Sequence, residues 1–207
     1  MKNYFFLLFS FYSALIFSQK TESRKLNKQE IAQKQIENTT EFPIYKAYEL
    51  KDKNGISNIF LCENQKVISK EDTLNTKIQA NFITIENGQS RIKWTINDLL
   101  EDYIPKETTI WFWTKYCSFK DLDGDGYIDP IIVYGTRTEY DEVRRVKIIT
   151  VYKDKKYVIR AVECDLDDCR SFKKDSNWNS LPQKIKMYTD QLVIKLRKEQ
   201  NLLLKDG

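Results

Sequence analysis

Histidine is missing altogether from the 207 residues, and with it the commonest general base in enzyme active sites. The chain also has no Gly-x-Ser-x-Gly elbow, no phosphate-binding glycine loop and no Cys-x-x-Cys pair, so three common enzyme signatures are absent. Carboxylate chemistry remains, as in a glycan hydrolase with two carboxyls about 5–9 Å apart. The sequence singles out no such pair, and a non-catalytic role is the expectation. Internal repeats are absent, and no Pro-rich or Gly/Ser-rich linker divides the chain after residue 41, which excludes a string of modules. A basic stripe is lacking too. The 34 Lys and Arg are scattered among 30 Asp and Glu, and a net charge of +4 excludes nucleic acid as the expected partner. So mild an excess of positive charge suits at most an anionic lipid or polysaccharide.

What the chain does have is one concentrated acidic stretch, Asp121-Leu122-Asp123-Gly124-Asp125-Gly126-Tyr127-Ile128-Asp129-Pro130. Carboxylates at alternate positions let a tightly wound backbone aim Asp121, Asp123 and Asp125 at one point, where a hard cation can sit. Tyr127 would add its backbone carbonyl, and Asp129 would close the set directly or through water. Gly124 and Gly126 supply the positive φ that such a wrap needs. Metal-free, the same residues would make a polar Asp/Gly turn. Repulsion among four carboxylates disfavours that alternative, because relieving it takes up protons at a cost in pKa.

The pattern Asp-x-Asp-Gly-Asp-Gly-x-x-Asp resembles the calcium loop of dockerins, thrombospondin type 3 repeats and FG-GAP propeller blades. The resemblance implies Ca2+ as the cofactor, in a structural role, with Asp121, Asp123, Asp125, Tyr127 and Asp129 as ligands. An EF-hand would carry Glu at the twelfth loop position, where this chain has Ile132. The loop occurs once, which argues against a propeller or a dockerin pair. It falls between the aromatic run Trp111–Tyr116 and the β-branched run Ile131–Tyr134, so a strand is expected on either side.

Residues 1–18 read as a secretory signal, with Lys2 ahead of an apolar run from Tyr4 to Phe17 and cleavage after Ser18. The run is shorter than the roughly 20 residues that span a bilayer. Export to the periplasm, the cell envelope or the medium is therefore expected, with no spanning segment after signal removal. Cys62, Cys117, Cys164 and Cys169 are even in number, as befits disulfides in an oxidising compartment. Three pairings are possible. The short spacing favours a Cys164–Cys169 staple, leaving Cys62 to meet Cys117; free buried thiols are the alternative.

Residues 19–41 are polar, with Leu26, Ile31 and Ile36 sparsely placed, and read as a linker or surface helix. Residues 42–207 read as a single α+β domain, mainly an antiparallel sheet of hairpins. One hairpin turns at Asp52–Gly55, a second at Asn87-Gly88 and a third at Lys153–Lys155. A short middle helix is expected over Asn97–Tyr103, capped by Asn97 or Asp98. Ser180 would cap a C-terminal helix whose apolar stripe Leu181, Ile185, Tyr188, Leu192, Leu196 and Leu203 packs on the sheet.

Two further clusters are candidates for function. Trp111 and Trp113 share one strand face, while Ile110, Phe112 and Tyr116 share the other. This describes either a sugar-stacking platform or, more simply, a strand covered on both sides. Glu163, Asp165, Asp167 and Asp168 describe a solvated acidic loop or a second cation site lacking glycines. In layout, and over residues 121–136, the chain resembles small exported envelope proteins associated with bacterial surface-polysaccharide biosynthesis. That resemblance implies envelope glycan or envelope proteins as partners. A calcium-dependent adhesion or glycan-recognition module is the alternative.

Overall fold

A computed structural model describes residues 20–34, 40–67, 73–86, 89–102, 104–164, 166 and 168–204. The signal segment 1–18 lies outside the described residues. In chain order the elements are β1 (Glu22–Lys25), α1 (Lys28–Gln33), β2 (Ile44–Asp52), β3 (Gly55–Glu63), β4 (Lys66–Val67), β5 (Thr73–Leu74), β6 (Lys77–Glu86) and β7 (Gln89–Leu99). They continue with β8 (Glu107–Phe112), β9 (Ser118–Lys120), β10 (Asp129–Thr138), β11 (Val143–Tyr152), β12 (Lys155–Val162), β13 (Ser171–Lys174) and α2 (Gln183–Gln200). The fold is α+β and mostly antiparallel, as the alternation of the sequence implies.

The strands form two sheets rather than one. The first runs β1-β2-β3-β6-β7 and the second β13-β12-β11-β10-β8, with β9 pairing β10 beside β8. Burial follows from the period of two along each strand. On β10, Ile132 and Tyr134 enter the core between the sheets, where they meet Leu50, Ile59, Leu61 and Ile96 of the first sheet. Ile131 and Val133 point the other way, into a second core under α2 with Ile185, Leu192 and Leu196. A strand covered on both faces has no polar side to present, which is why Ile131–Tyr134 reads as a continuous apolar run. The outer face of the first sheet carries a third, smaller core in which Ala47, Phe60 and Ile83 meet Leu26 and Ile31.

Leu26 and Ile31 belong to the segment read as a linker or surface helix. The structure makes residues 20–34 of it part of the fold, while Ile36 lies outside the described residues. β1 pairs β2 from Glu22↔Lys51 to Lys25↔Tyr48. Asn27 then caps α1 through a capping box, its side chain accepting from the Glu30 N–H while the Glu30 carboxylate accepts from the Asn27 N–H. Two buried anchors suffice because α1 covers only the small outer core.

Three expectations need correction. Residues 97–99 are strand, not helix: Asn97, Asp98 and Leu99 pair with Gln79, Ile78 and Lys77 of β6, so cross-strand bonds override the local capping signal. Tyr103 lies outside the described residues. Ser180 ends a 3-10 turn, Trp178–Ser180, and its hydroxyl donates to the Asn177 carbonyl, while Pro182 occupies the cap of α2. The stripe on α2 packs as expected through Leu196, but Leu203 is exposed. Asn201 ends the helix in the left-handed conformation, so the helical period stops there and Leu202 and Leu204 turn inward instead.

The aromatic strand is covered on both sides. Ile110 and Phe112 enter the inter-sheet core, and Trp113 enters the α2 core with Trp111 packed against it. Tyr116 joins Trp113 rather than Phe112, at 6.1 Å between ring centroids, because β8 ends at Phe112 and a turn intervenes. Gly135 makes room for Trp113: a β-carbon there would stand 2.6 Å from the indole. Cys164 and Cys169 are disulfide-bonded, with Cα atoms 5.8 Å apart. The expected Cys62–Cys117 bond does not form. Cys62 points into the outer core against Phe60, whereas Cys117 packs beside the other two cores, on the far side of the first sheet.

Candidate metal centre

The acidic stretch is the hairpin connection between β9 and β10. Those strands pair through Asp129↔Lys120, Pro130↔Phe119 and Ile131↔Ser118, which anchors both ends of the loop. Gly124 and Gly126 have φ of +88° and +91°, as the tight winding requires. The structure brings together Asp121, Asp123 and Asp129, with one carboxylate oxygen from each lying within 4.8 Å of the others. Oxygens bound to one Ca2+ at about 2.3–2.6 Å can be up to about 5 Å apart, so this spacing fits a shared ion. The donor set is oxygen only, as a hard cation prefers.

Asp125 stands outside that group of three. One of its oxygens accepts the Tyr127 N–H at 3.0 Å, and the other faces the Lys153 ammonium at 3.8 Å. The Tyr127 side chain is exposed, with the Lys53 ammonium 5.5 Å from its ring centre.

Peptide N–H groups hold the carboxylates in place. Asp121 accepts from Gly124 at 2.7 Å and from Gly126 at 2.9 Å, Asp123 from Asp125 at 3.1 Å, and Asp129 from Leu122 at 2.9 Å. Asp129 is 2% exposed. Burial pushes its pKa up to about 7 and the charges of Asp123, Asp125 and Asp121 add to the rise, against the Leu122 N–H, which lowers it. A raised folded-state pKa means the cation-free fold gains from protonation: that stability is present below the ordinary Asp range and lost as pH rises through about 7. A cation bound at Asp129 acts in the opposite sense, favouring the ionised carboxylate.

Residues distant in sequence clamp the loop, and nothing in the local pattern points to them. Asp52, the last residue of β2, accepts the Asn54 N–H at 2.8 Å and the Ile128 N–H at 3.1 Å. The neighbouring Lys53 accepts nothing from the loop but donates to it twice, through its N–H to the Gly126 carbonyl at 3.1 Å and through its ammonium to the Asp125 carbonyl. A β-carbon at Gly126 would collide with the Lys53 side chain. From α2, Lys184 donates to the Asp123 carbonyl at 2.7 Å. The loop thus joins a turn of the first sheet, a strand of the second and the C-terminal helix.

Of the second acidic cluster, Asp165 and Asp167 lie outside the described residues. Glu163 is engaged elsewhere, accepting from Arg170 at 3.0 Å and from the N–H groups of Leu203 and Leu204 at 2.7 and 3.0 Å. A different charged group gathers residues that lie far apart in the sequence. Arg145 on β11 is buried and holds Glu107 bidentately at 2.6 and 2.8 Å, with Glu101 at 2.6 Å and Asp98 at 3.6 Å. These four residues link the end of the first sheet to the second. Their sequence separations left no pattern to read.

No helix among the described residues is long and apolar enough to cross a membrane. No family model matches the chain, and neither the curated proteins nor the solved structures yield a similar one.

Proposed function

We propose that the chain is an exported, non-catalytic domain in which a Ca2+ ion holds the loop that joins the two sheets and the C-terminal helix, and that it serves the cell envelope by supporting surface-polysaccharide biosynthesis. The observation that carries the metal reading is the convergence of Asp121, Asp123 and Asp129 in a loop already clamped from three sides. Calcium is favoured over softer ions by the all-oxygen donor set. Export is supported by the apolar leader and by the Cys164–Cys169 disulfide, which suits an oxidising compartment. The envelope assignment rests on the resemblance over residues 121–136.

The test is thermal unfolding of the mature protein with and without calcium, beside the double change Asp121→Asn and Asp123→Asn. Free calcium at about 100 times its dissociation constant should stabilise the parent by about 2.7 kcal/mol, a rise in Tm of roughly 5–10 °C for a chain of this size. The double variant should not respond. A parent indifferent to calcium would overturn the metal reading. For the envelope role, deletion of the protein should alter the amount or display of surface glycan, and unchanged glycan would refute it.

A further inference from the structure

The clamped loop forms one wall of a groove of about 370 Å³ that opens between the two sheets. Its lining includes Phe82 and Trp94, cross-strand partners whose rings stack at 5.2 Å with planes 10° apart. The lining also includes Asp52, Asn54, Asp125, Lys153 and the exposed Tyr127. We infer that this groove binds a neutral sugar, with a C–H face against the aromatic rings and hydroxyls hydrogen-bonded to the Asp and Asn groups of its lining. The inference rests on the reading of this domain as an envelope-glycan protein, and supplies the place where glycan would be held.

Three features select this ligand. Aromatic rings beside fixed polar groups suit a molecule with one apolar and one hydroxylated face. An anion is disfavoured, since the lining holds four carboxylates, Asp52, Asp125, Asp129 and Asp154, against the single ammonium of Lys153. A cationic ligand is disfavoured in turn, because three of the four carboxylates are already engaged. Asp52 accepts two peptide N–H groups, Asp125 accepts one and faces Lys153, and Asp129 accepts one and would contribute to the cation site. Each carboxylate oxygen has a second lone pair that can accept a hydroxyl proton without any further change in charge.

The experiment is titration of the calcium-loaded mature protein with neutral oligosaccharides, using hexamers of α-1,4-glucose, β-1,4-glucose, α-1,6-mannose and β-1,4-N-acetylglucosamine. Heat and Trp fluorescence would be followed, with a Lys-rich decapeptide as the cationic control. At least one hexamer should bind and perturb the fluorescence. Tyr127→Ala and Asn54→Ala, both at exposed positions, should each weaken that binding about tenfold, equal to about 1.4 kcal/mol, and Asn54→Ala should leave the calcium-induced rise in Tm intact. Binding of none of the hexamers, binding of the peptide instead, or hexamer binding unchanged in both variants would overturn the inference. In each of those cases a preserved calcium response would leave the metal reading standing. Loss of the calcium response with hexamer binding retained would overturn the metal reading alone.

Discussion

Replacing Arg145 by Met should unfold the protein some way below the parent, by an amount that depends on pH. In the parent, Arg145 is 4% and Glu107 2% exposed. The Glu107 carboxylate also accepts from the Thr136 hydroxyl at 2.7 Å and the Glu101 N–H at 2.8 Å. Burial alone pushes Glu107 upward, yet the Arg145 guanidinium, with the Glu101 N–H and the Thr136 hydroxyl, holds it below the usual carboxylate range. Removing the guanidinium leaves a buried anion with Asp98 and Glu101 nearby, and breaking such a pair costs about 3–5 kcal/mol. At about 2–4 °C per kcal/mol, Tm should fall by roughly 10 °C at neutral pH.

The pH dependence identifies the cause. A depressed folded-state pKa gives the parent a stabilisation that is present above the unfolded Glu value of about 4.3 and lost as pH falls through the folded one. In Arg145→Met the folded pKa is expected above the unfolded one, so the variant instead gains stability as pH falls. The gap between the two proteins should be widest near pH 7 and narrow toward about pH 4. Denaturant unfolding across that range measures it, and Glu107→Gln combined with Arg145→Met should cost less than the sum of the two single changes. A loss under about 1 kcal/mol, or a gap independent of pH, would refute the claim that burial of an uncompensated Glu107 is what matters.

Leu196→Ala should cost about 2–5 kcal/mol, since Leu196 is fully buried in the core under α2, whereas Leu203→Ala should cost well under 1 kcal/mol despite lying on the same sequence stripe. Equal effects in thermal unfolding would show that the stripe continues past Asn201. Burial pushes the thiols of Cys62 and Cys117 up to about 12, so neither should be alkylated in the native state at neutral pH, while both should react once the chain is unfolded. Mass spectrometry of alkylated digests checks this. A Cys62–Cys117 disulfide peptide would contradict the placement of the two residues in different cores.

The sequence by itself determined the features that depend on near neighbours. Alternation over Ile44–Leu50 and Val143–Tyr152, with turn residues at Asp52–Gly55 and Lys153–Lys155, is enough for hairpins because turn chemistry and a period of two are local properties. The close approach of Cys164 to Cys169 and the winding of Asp121–Asp129 around two glycines are local for the same reason. The apolar stripe of α2 was legible only as far as the helix lasts, and Leu203 marks where it stops. Tertiary structure decided everything that needs a distant partner. Strand β7 keeps Asn97–Leu99 because β6 offers them ladder bonds, and these outweigh a weak capping preference. The hairpins divide between two sheets because Ile131–Tyr134 must bury both faces, so one side requires α2 and the other a second sheet. The same long-range packing carries Lys53 and Lys184 to the acidic loop and places Arg145 against Glu107. Such contacts leave no periodicity in the chain, since what selects them is the cost of burying a charge or carbonyl unpaired once the layers close.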